Sequence, residues 1–163
     1  MMTWPSGLRL LAVLGAVLWS IPASAFDREG FQSCMSLAEA SRVAQQAGKP
    51  LIDLKDASGE MYSVGSPAGA GTILVFSKGR LNSMTSPMQG GIDAFASVTK
   101  DLIQTFGQPR IEVRSHYTQS GLFSSISMTW TTHGGEEISA ALVKYDGSVS
   151  ASTMAWVGKA ACR

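Results

Sequence analysis

The side chains with the most chemistry in this 163-residue sequence are two cysteines, two histidines and 12 carboxylates, and their spacing limits what they can do. Cys34 and Cys162 stand far apart. A redox pair or a thiolate metal site calls for Cys-x-x-Cys or for cysteines clustered with histidines, and neither occurs. An even pair so widely separated reads instead as one disulfide closing nearly the whole folded chain. His116 falls on a predicted strand beside Glu112 and Arg114 at alternating positions, and His133 falls in a turn next to two glycines. A metal site needs three or four converging ligands. The sequence has no His-x-x-x-His, no His-Glu-x-x-His and no carboxylate run with calcium-loop spacing. No metal and no cofactor is expected.

Nucleophilic and phosphate chemistry fare no better. Gly65-Ser66-Pro67-Ala68-Gly69 puts its serine one position early for a nucleophile elbow and sets a proline beside it. The same loop runs on to Gly71 without the Gly-Lys-Ser/Thr ending of a phosphate cradle. Carboxylate pairs of the glycosidase kind meet in space and leave no spacing to read. Asp53, Asp56, Glu60, Glu136 and Glu137 fall mostly at turns, where solvated charge is the expectation. A small hydrolase using scattered carboxylates or His116 therefore stays open as an alternative function, but no catalytic residue is assigned.

The N-terminus says where such a chain would work. Arg9 is the only charged residue before Asp27, and it borders an apolar run from Leu8 to Trp19. Pro22 ends that run, and Ala23-Ser24-Ala25 offers the small-x-small site that a signal peptidase accepts before Phe26. As a helix the run would be roughly 18 Å long, against ~30 Å of hydrocarbon in a bilayer. A cleaved leader over residues 1–25 is expected, leaving a single periplasmic or secreted domain over 26–163 with no stable membrane anchor. Cys34 follows Phe31-Gln32-Ser33 rather than small residues, so lipidation there is not expected. Removing Arg9 with the leader brings the 13 basic residues level with the 12 acidic ones. A balanced domain without a basic cluster has no electrostatic footprint for nucleic acid.

The elements that must position these residues are legible in pattern. Ser36-Leu37-Ala38-Glu39 has the capping-box form, Ala40, Val43, Ala44 and Ala47 repeat at helical spacing, and Gly48 and Pro50 stop the helix. Strands are predicted over 51–54, 60–64, 72–76 and 80–84, with turns at 57–59 and 78–79. A second helix begins after Gly90-Gly91 with Asp93 as its expected cap, and its stripe is Phe95, Val98, Leu102 and Phe106. Gly107 and Pro109 end it. Strands then follow over 111–117, 123–132, 137–145 and 148–157, the last hairpin turning at Asp146-Gly147. Gly48-x-Pro50 and Gly107-x-Pro109 each close a helix and open a strand, roughly 60 residues apart, a period that suggests two pseudo-repeats over 35–89 and 90–157.

The fold class expected is α+β, with two helices on one face of a mainly antiparallel sheet. Alternation along 123–132 puts Ile126, Met128 and Trp130 on the face that should take the helices. Ser125, Ser127, Thr129 and Thr131 then share the open face, continued by Ser148, Ser150 and Ser152 and joined by Glu112, Arg114 and His116. Met154 and Trp156 fall in phase with those serines, so a bulge in the last strand is expected to turn them inward; without it Trp156 would be an anchor on the open face.

Phe76, Gly79 and Leu81, then Phe95, Leu102, Phe106, Gly107 and Pro109, then Met128-Thr129-Trp130 carry a resemblance. In them the chain resembles the tandem helix-plus-sheet modules of the β-lactamase-inhibitor-protein-like fold, and small periplasmic domains of unknown function with the same second-half pattern. The resemblance covers most of the mature chain through core and turn residues. It implies a protein that binds another protein through its exposed sheet surface. The outer-membrane assembly members of that group are lipid-anchored, and this chain lacks the cysteine for it. The expectation is thus a non-enzymatic binding module, inhibitor- or accessory-like, with another envelope or secreted protein as partner. Its candidate face comprises Arg114, His116, Ser125, Ser127, Thr129, Thr131 and Trp156; a structural accessory subunit of an envelope complex is the other alternative.

Overall fold

The computed structural model describes residues 26–55, 60–66, 71–119, 121–145, 147–156 and 162, the side chains at 151 and 156 excepted. The expected leader and its expected cleavage point between Ala25 and Phe26, the turn at 57–59 and the middle of the Gly65–Gly71 loop lie outside the described residues, Phe26 itself being described. A short hairpin of β1 (Asp27–Arg28) and β2 (Phe31–Gln32) leads into α1 (Leu37–Gln46). Four strands follow: β3 (Leu51–Asp53), β4 (Met61–Val64), β5 (Thr72–Ser77) and β6 (Arg80–Met88). Then come α2 (Gly91–Phe106) and four more strands, β7 (Arg110–Thr118), β8 (Gly121–Thr131), β9 (Glu137–Tyr145) and β10 (Ser148–Trp156).

The eight long-range strands form one sheet in the order β3-β4-β5-β6-β10-β9-β8-β7, antiparallel throughout. Each half is a helix followed by a four-strand meander, and the two last strands, β6 and β10, pair at the centre. The order is therefore symmetric about that central pair. Counting from the glycines of the two hairpins that precede them, Gly79 and Gly147, the middle of the pairing falls between Thr85–Met154 and Ser86–Thr153. Thr153 is buried there, and its Oγ1 makes no hydrogen bond among the described residues. Beside it Ser86 and Thr72 share a hydroxyl contact of 3.0 Å, and Glu29 of the N-terminal hairpin reaches both at 3.4 Å.

Both helices pack on one face, as an α+β layer requires. Ala40 and Ala44 of α1 are fully buried, and their small side chains let the helix sit close over Leu74, Phe76, Leu81 and Met84. The capping box forms: Ser36 accepts from the Glu39 N–H while the Glu39 carboxylate accepts from the Ser36 N–H at 2.7 Å. Ala47, expected on the apolar stripe, is an exposed C-cap instead. In α2 the cap is Gly90, whose φ of 107° suits glycine, and Asp93 sits in the first turn, where its charge faces the positive end of the helix dipole. Phe95 packs with Trp130 and Ala140, and Thr99 takes an inward position by returning its hydroxyl to the Phe95 carbonyl at 2.8 Å. Trp130 is buried and donates its indole N–H to the Gly107 carbonyl at 2.9 Å, which ties the end of α2 to β8.

The bulge expected in β10 is absent. Its register runs without a slip from Ser148 opposite Tyr145 to Trp156 opposite Glu137, and the irregularity in the sheet lies between Val75 and Phe76 of β5. A central strand has ladders on both sides, so a bulge in it would disrupt two sets of hydrogen bonds rather than one. The inward positions of β10 are small instead, Thr153 and Ala155, and Met154 stays on the open face, 37% exposed. Cys34 and Cys162 are bonded, with Cα atoms 5.1 Å apart. No helix among the described residues is long and apolar enough to cross a membrane.

Candidate functional site

The face opposite the helices is built by strand parity. In β7 the even residues Arg110, Glu112, Arg114 and His116 stand opposite Thr129, Ser127, Ser125 and Phe123 of β8. Those in turn stand opposite Ser139, Ala141, Val143 and Tyr145 of β9, and the next row is Met154, Ser152, Ser150 and Ser148 of β10. The sequence-expected set Arg114, His116, Ser125, Ser127, Thr129 and Thr131 thus falls on one surface. Trp156 is the next backbone position of the same β10 row, paired with Ser83 and Glu137; its side chain lies outside the described residues.

Three kinds of contact character occur along this surface. Arg114 and Glu112 are neighbours on the same face of one strand and form an ion pair, with Arg114 Nε donating to Glu112 Oε1 at 2.8 Å and Nη2 at 2.7 Å. Both side chains are at least half solvent-accessible, so the pair adds little to stability and stays available for a second partner. At the far end of the strands His116 and Phe123 stack, ring centroids 4.9 Å apart, and Tyr145 is the cross-strand neighbour of Phe123. Between these lie the half-exposed hydroxyls Ser125, Ser127 and Thr129. Ion pair, hydroxyl ladder and aromatic group form one continuous strip across β7, β8 and β9.

Phe123 and Tyr145 were not among the residues singled out from sequence. Their signal is in the sequence: Phe123 has the same parity as Ser125 and lies two residues ahead of the serine row. Aromatic side chains with one exposed edge supply most of the contact energy at protein surfaces that bind, which makes them the informative omission.

On the helix side, α2 does not extend over the whole apolar face. Ile126 was expected beneath a helix, yet it is exposed together with Ile111 and Val113. Geometry explains this. Eight strands spaced ~4.8 Å apart make a sheet about 34 Å wide, whereas two helices of ~10 Å diameter cover roughly 20 Å. The bare part includes β7, with Ile111 and Val113, and Ile126 of β8.

Glu136 corrects another expectation. It sits in the turn between β8 and β9, yet it is only 5% exposed. Burial raises its carboxyl above the ordinary glutamate value, and a hydrogen bond from Thr132 opposes the rise. It lines a cavity of about 590 Å³ together with Phe26, Leu102, Phe106, His133 and Ile138. A buried carboxyl of this kind can hold its proton longer than a surface one, and so can donate as well as accept a hydrogen bond. Among the described residues no cluster of three or more His, Cys, Asp or Glu could hold a metal ion.

No family model matches the chain, and neither a curated protein nor a solved structure matches it significantly. Its reading rests on its own residues.

Proposed function

We propose that this chain is an exported binding module that holds another protein of the cell envelope or exterior on the helix-free face of its sheet. The single observation behind this reading is the strip just described, in which Glu112–Arg114, Ser125–Thr129 and His116–Phe123–Tyr145 share one exposed surface. An antiparallel sheet with helices on one side leaves its other side free to dock a partner. The disulfide supports export, because such bonds persist where thiols are oxidised and argue against the cytoplasm. The apolar leader over residues 1–25 supplies the route to a periplasmic or secreted location.

The strip fits a polar protein surface better than an apolar ligand. Its charged pair and its hydroxyls offer donors and acceptors along the strands, and its aromatics provide the anchor such an interface needs. The chain released from its leader, used as bait against the envelope fraction of the producing cell, should recover one stoichiometric partner. Arg114→Ala and His116→Ala should each weaken that complex about tenfold, the scale of a single interface side chain. Thr129→Ala should weaken it less, and Lys100→Ala on the outer side of α2 should leave it unchanged. A partner retained at full affinity by all the β7 and β8 variants would remove the sheet face from the reading. A substrate turnover lost in His116→Ala, with no partner recovered, would replace it with the hydrolase alternative.

A further inference from the structure

β7 is the last strand of the sheet, and its outer edge has no partner among the described residues. It is nine residues long, and every residue from Arg110 to Tyr117 is exposed. Proteins normally blunt such an edge by shortening it, inserting proline, bulging it or loading it with charged side chains, lysine above all. The opposite edge follows that rule, since β3 has three residues. β7 is long and has no proline, and the charges it carries alternate in sign as Arg110, Glu112 and Arg114. A single-sign edge repels a copy of itself. An alternating one can match it.

The hairpin to β8 fixes which backbone groups point outward. Thr118 and Gly121 are the terminal pair of the ladder, separated by two loop residues, and such a flanking pair exchanges both its hydrogen bonds. The even residues of β7 therefore turn their N–H and C=O groups to β8, and Ile111, Val113 and Ser115 turn theirs to the free edge. We infer that this edge pairs with β7 of a second copy of the chain, antiparallel and two-fold symmetric about Val113.

That centre follows from charge and backbone together. With Val113 opposite itself, the outward groups of Ile111, Val113 and Ser115 meet those of Ser115, Val113 and Ile111 of the second copy. Glu112 then falls opposite Arg114 of the second copy, and Arg114 opposite its Glu112. These are non-hydrogen-bonded positions, where facing side chains come closest. Centring on Glu112 or Arg114 would set like charges opposite each other and turn the wrong backbone groups together. Centring on Ile111 keeps opposite charges facing but leaves only residues 110–112 of each strand in register. The Val113 centre pairs residues 110–116.

Burial favours the same arrangement. Val113 is 69% and Ile111 57% exposed, and Val113 lines a groove with exposed Ile126 and Val149 of the sheet and with exposed Ile92 at the start of α2. A second copy along this edge removes part of that apolar strip from water. It also joins two helix-free faces, which places Arg114 and His116 at the middle of one sixteen-stranded surface.

Sedimentation velocity on the chain with its disulfide intact tests the inference without any knowledge of the docking partner. A reversible dimer is expected, with the amides of Ile111, Val113 and Ser115 protected from hydrogen exchange and losing that protection on dilution. Glu112→Arg should weaken the dimer about tenfold, because it sets like charges opposite each other twice over. Adding Arg114→Glu to that chain should restore it, since the exchanged charges again face their opposites. A chain that stays monomeric at every concentration overturns the inference, and so does a dimer indifferent to Glu112→Arg. Circular dichroism of the single and double variants separates lost pairing from lost folding.

Discussion

Glu136 shows how much a residue's neighbours can override its position in the chain. A glutamate between two glycines and another glutamate reads as solvated charge, and nothing local in Gly134-Gly135-Glu136-Glu137 says otherwise. The chain then returns into β9 and closes the turn over it, with the Thr132 N–H donating to the Glu136 carbonyl at 2.8 Å. Its carboxyl titrates above the ordinary value of 4.5 because burial penalises the charged form. The folded chain therefore holds this proton more tightly than the unfolded chain does. Stability from the neutral acid is fully present below the unfolded value and is lost as pH rises through the folded one. Glu136→Gln should accordingly raise the urea midpoint at pH 7 relative to the parent chain, with the difference vanishing near pH 4. Other carboxylates also titrate in that range, so the difference between the two proteins, not either curve alone, carries the result. A parent chain equally stable to the variant at both pH values would mean that water reaches this carboxyl freely.

At the scale of elements, local chemistry was a good guide where one short motif decides the outcome. The capping box at Ser36–Glu39 formed as its spacing required, and the ends of β9 follow its turns. Strand alternation also sorted the β8 residues correctly between the two faces. What failed needed knowledge of neighbours: whether β10 is central, how far α2 extends across the sheet, and that Gly90 rather than Asp93 caps α2. The bulge in β10 was expected from side-chain phase alone, yet a strand with ladders on both sides keeps its phase and lets Met154 be exposed. The cap of α1 offers a direct check of the local rule. Hydrogen bonds from the Ser36 hydroxyl and backbone hold the Glu39 carboxyl below its ordinary value. Support of that sign is present above the unfolded value and is lost as pH falls through the folded one. Ser36→Ala should cost about 1 kcal/mol at pH 7, the usual effect of losing an N-cap hydroxyl. The cost should shrink in acid, where the partner carboxylate is protonated in parent and variant alike. Thermal unfolding of both chains at pH 7 and pH 3 measures it, and a cost that does not change with pH would mean the carboxylate adds nothing to the cap.

Over the whole molecule, the question is what makes two helix-and-meander halves behave as one body. The β6–β10 ladder joins them through six residue pairs, from Ala151–Met88 to Trp156–Ser83. Ala155 of the second half is buried in the same cluster as Leu74, Phe76 and Met84 of the first. The disulfide adds a covalent link at that seam. Cys34 lies just ahead of α1 with its N–H donated to the Leu81 carbonyl at 2.9 Å, and Cys162 follows β10 and packs on the same cluster. The bond therefore fastens the tail of the second half to the start of β6 in the first. It closes a loop of 128 residues, for which chain entropy alone gives up to about 5 kcal/mol and measured bridges typically ~2–4. Against a total stability of roughly 5–15 kcal/mol for a domain, that is a large share. Replacing both cysteines by serine avoids a stray thiol and should lower stability by about 2–4 kcal/mol in urea titration. The transition should remain single, because the shared core and the central ladder survive without the bond. Two separate transitions in the serine variant would mean that the halves fold as independent units joined only at sulfur. A loss below about 0.5 kcal/mol would mean that the ladder fixes the seam by itself and that the unfolded chain gains little freedom when the bond is removed.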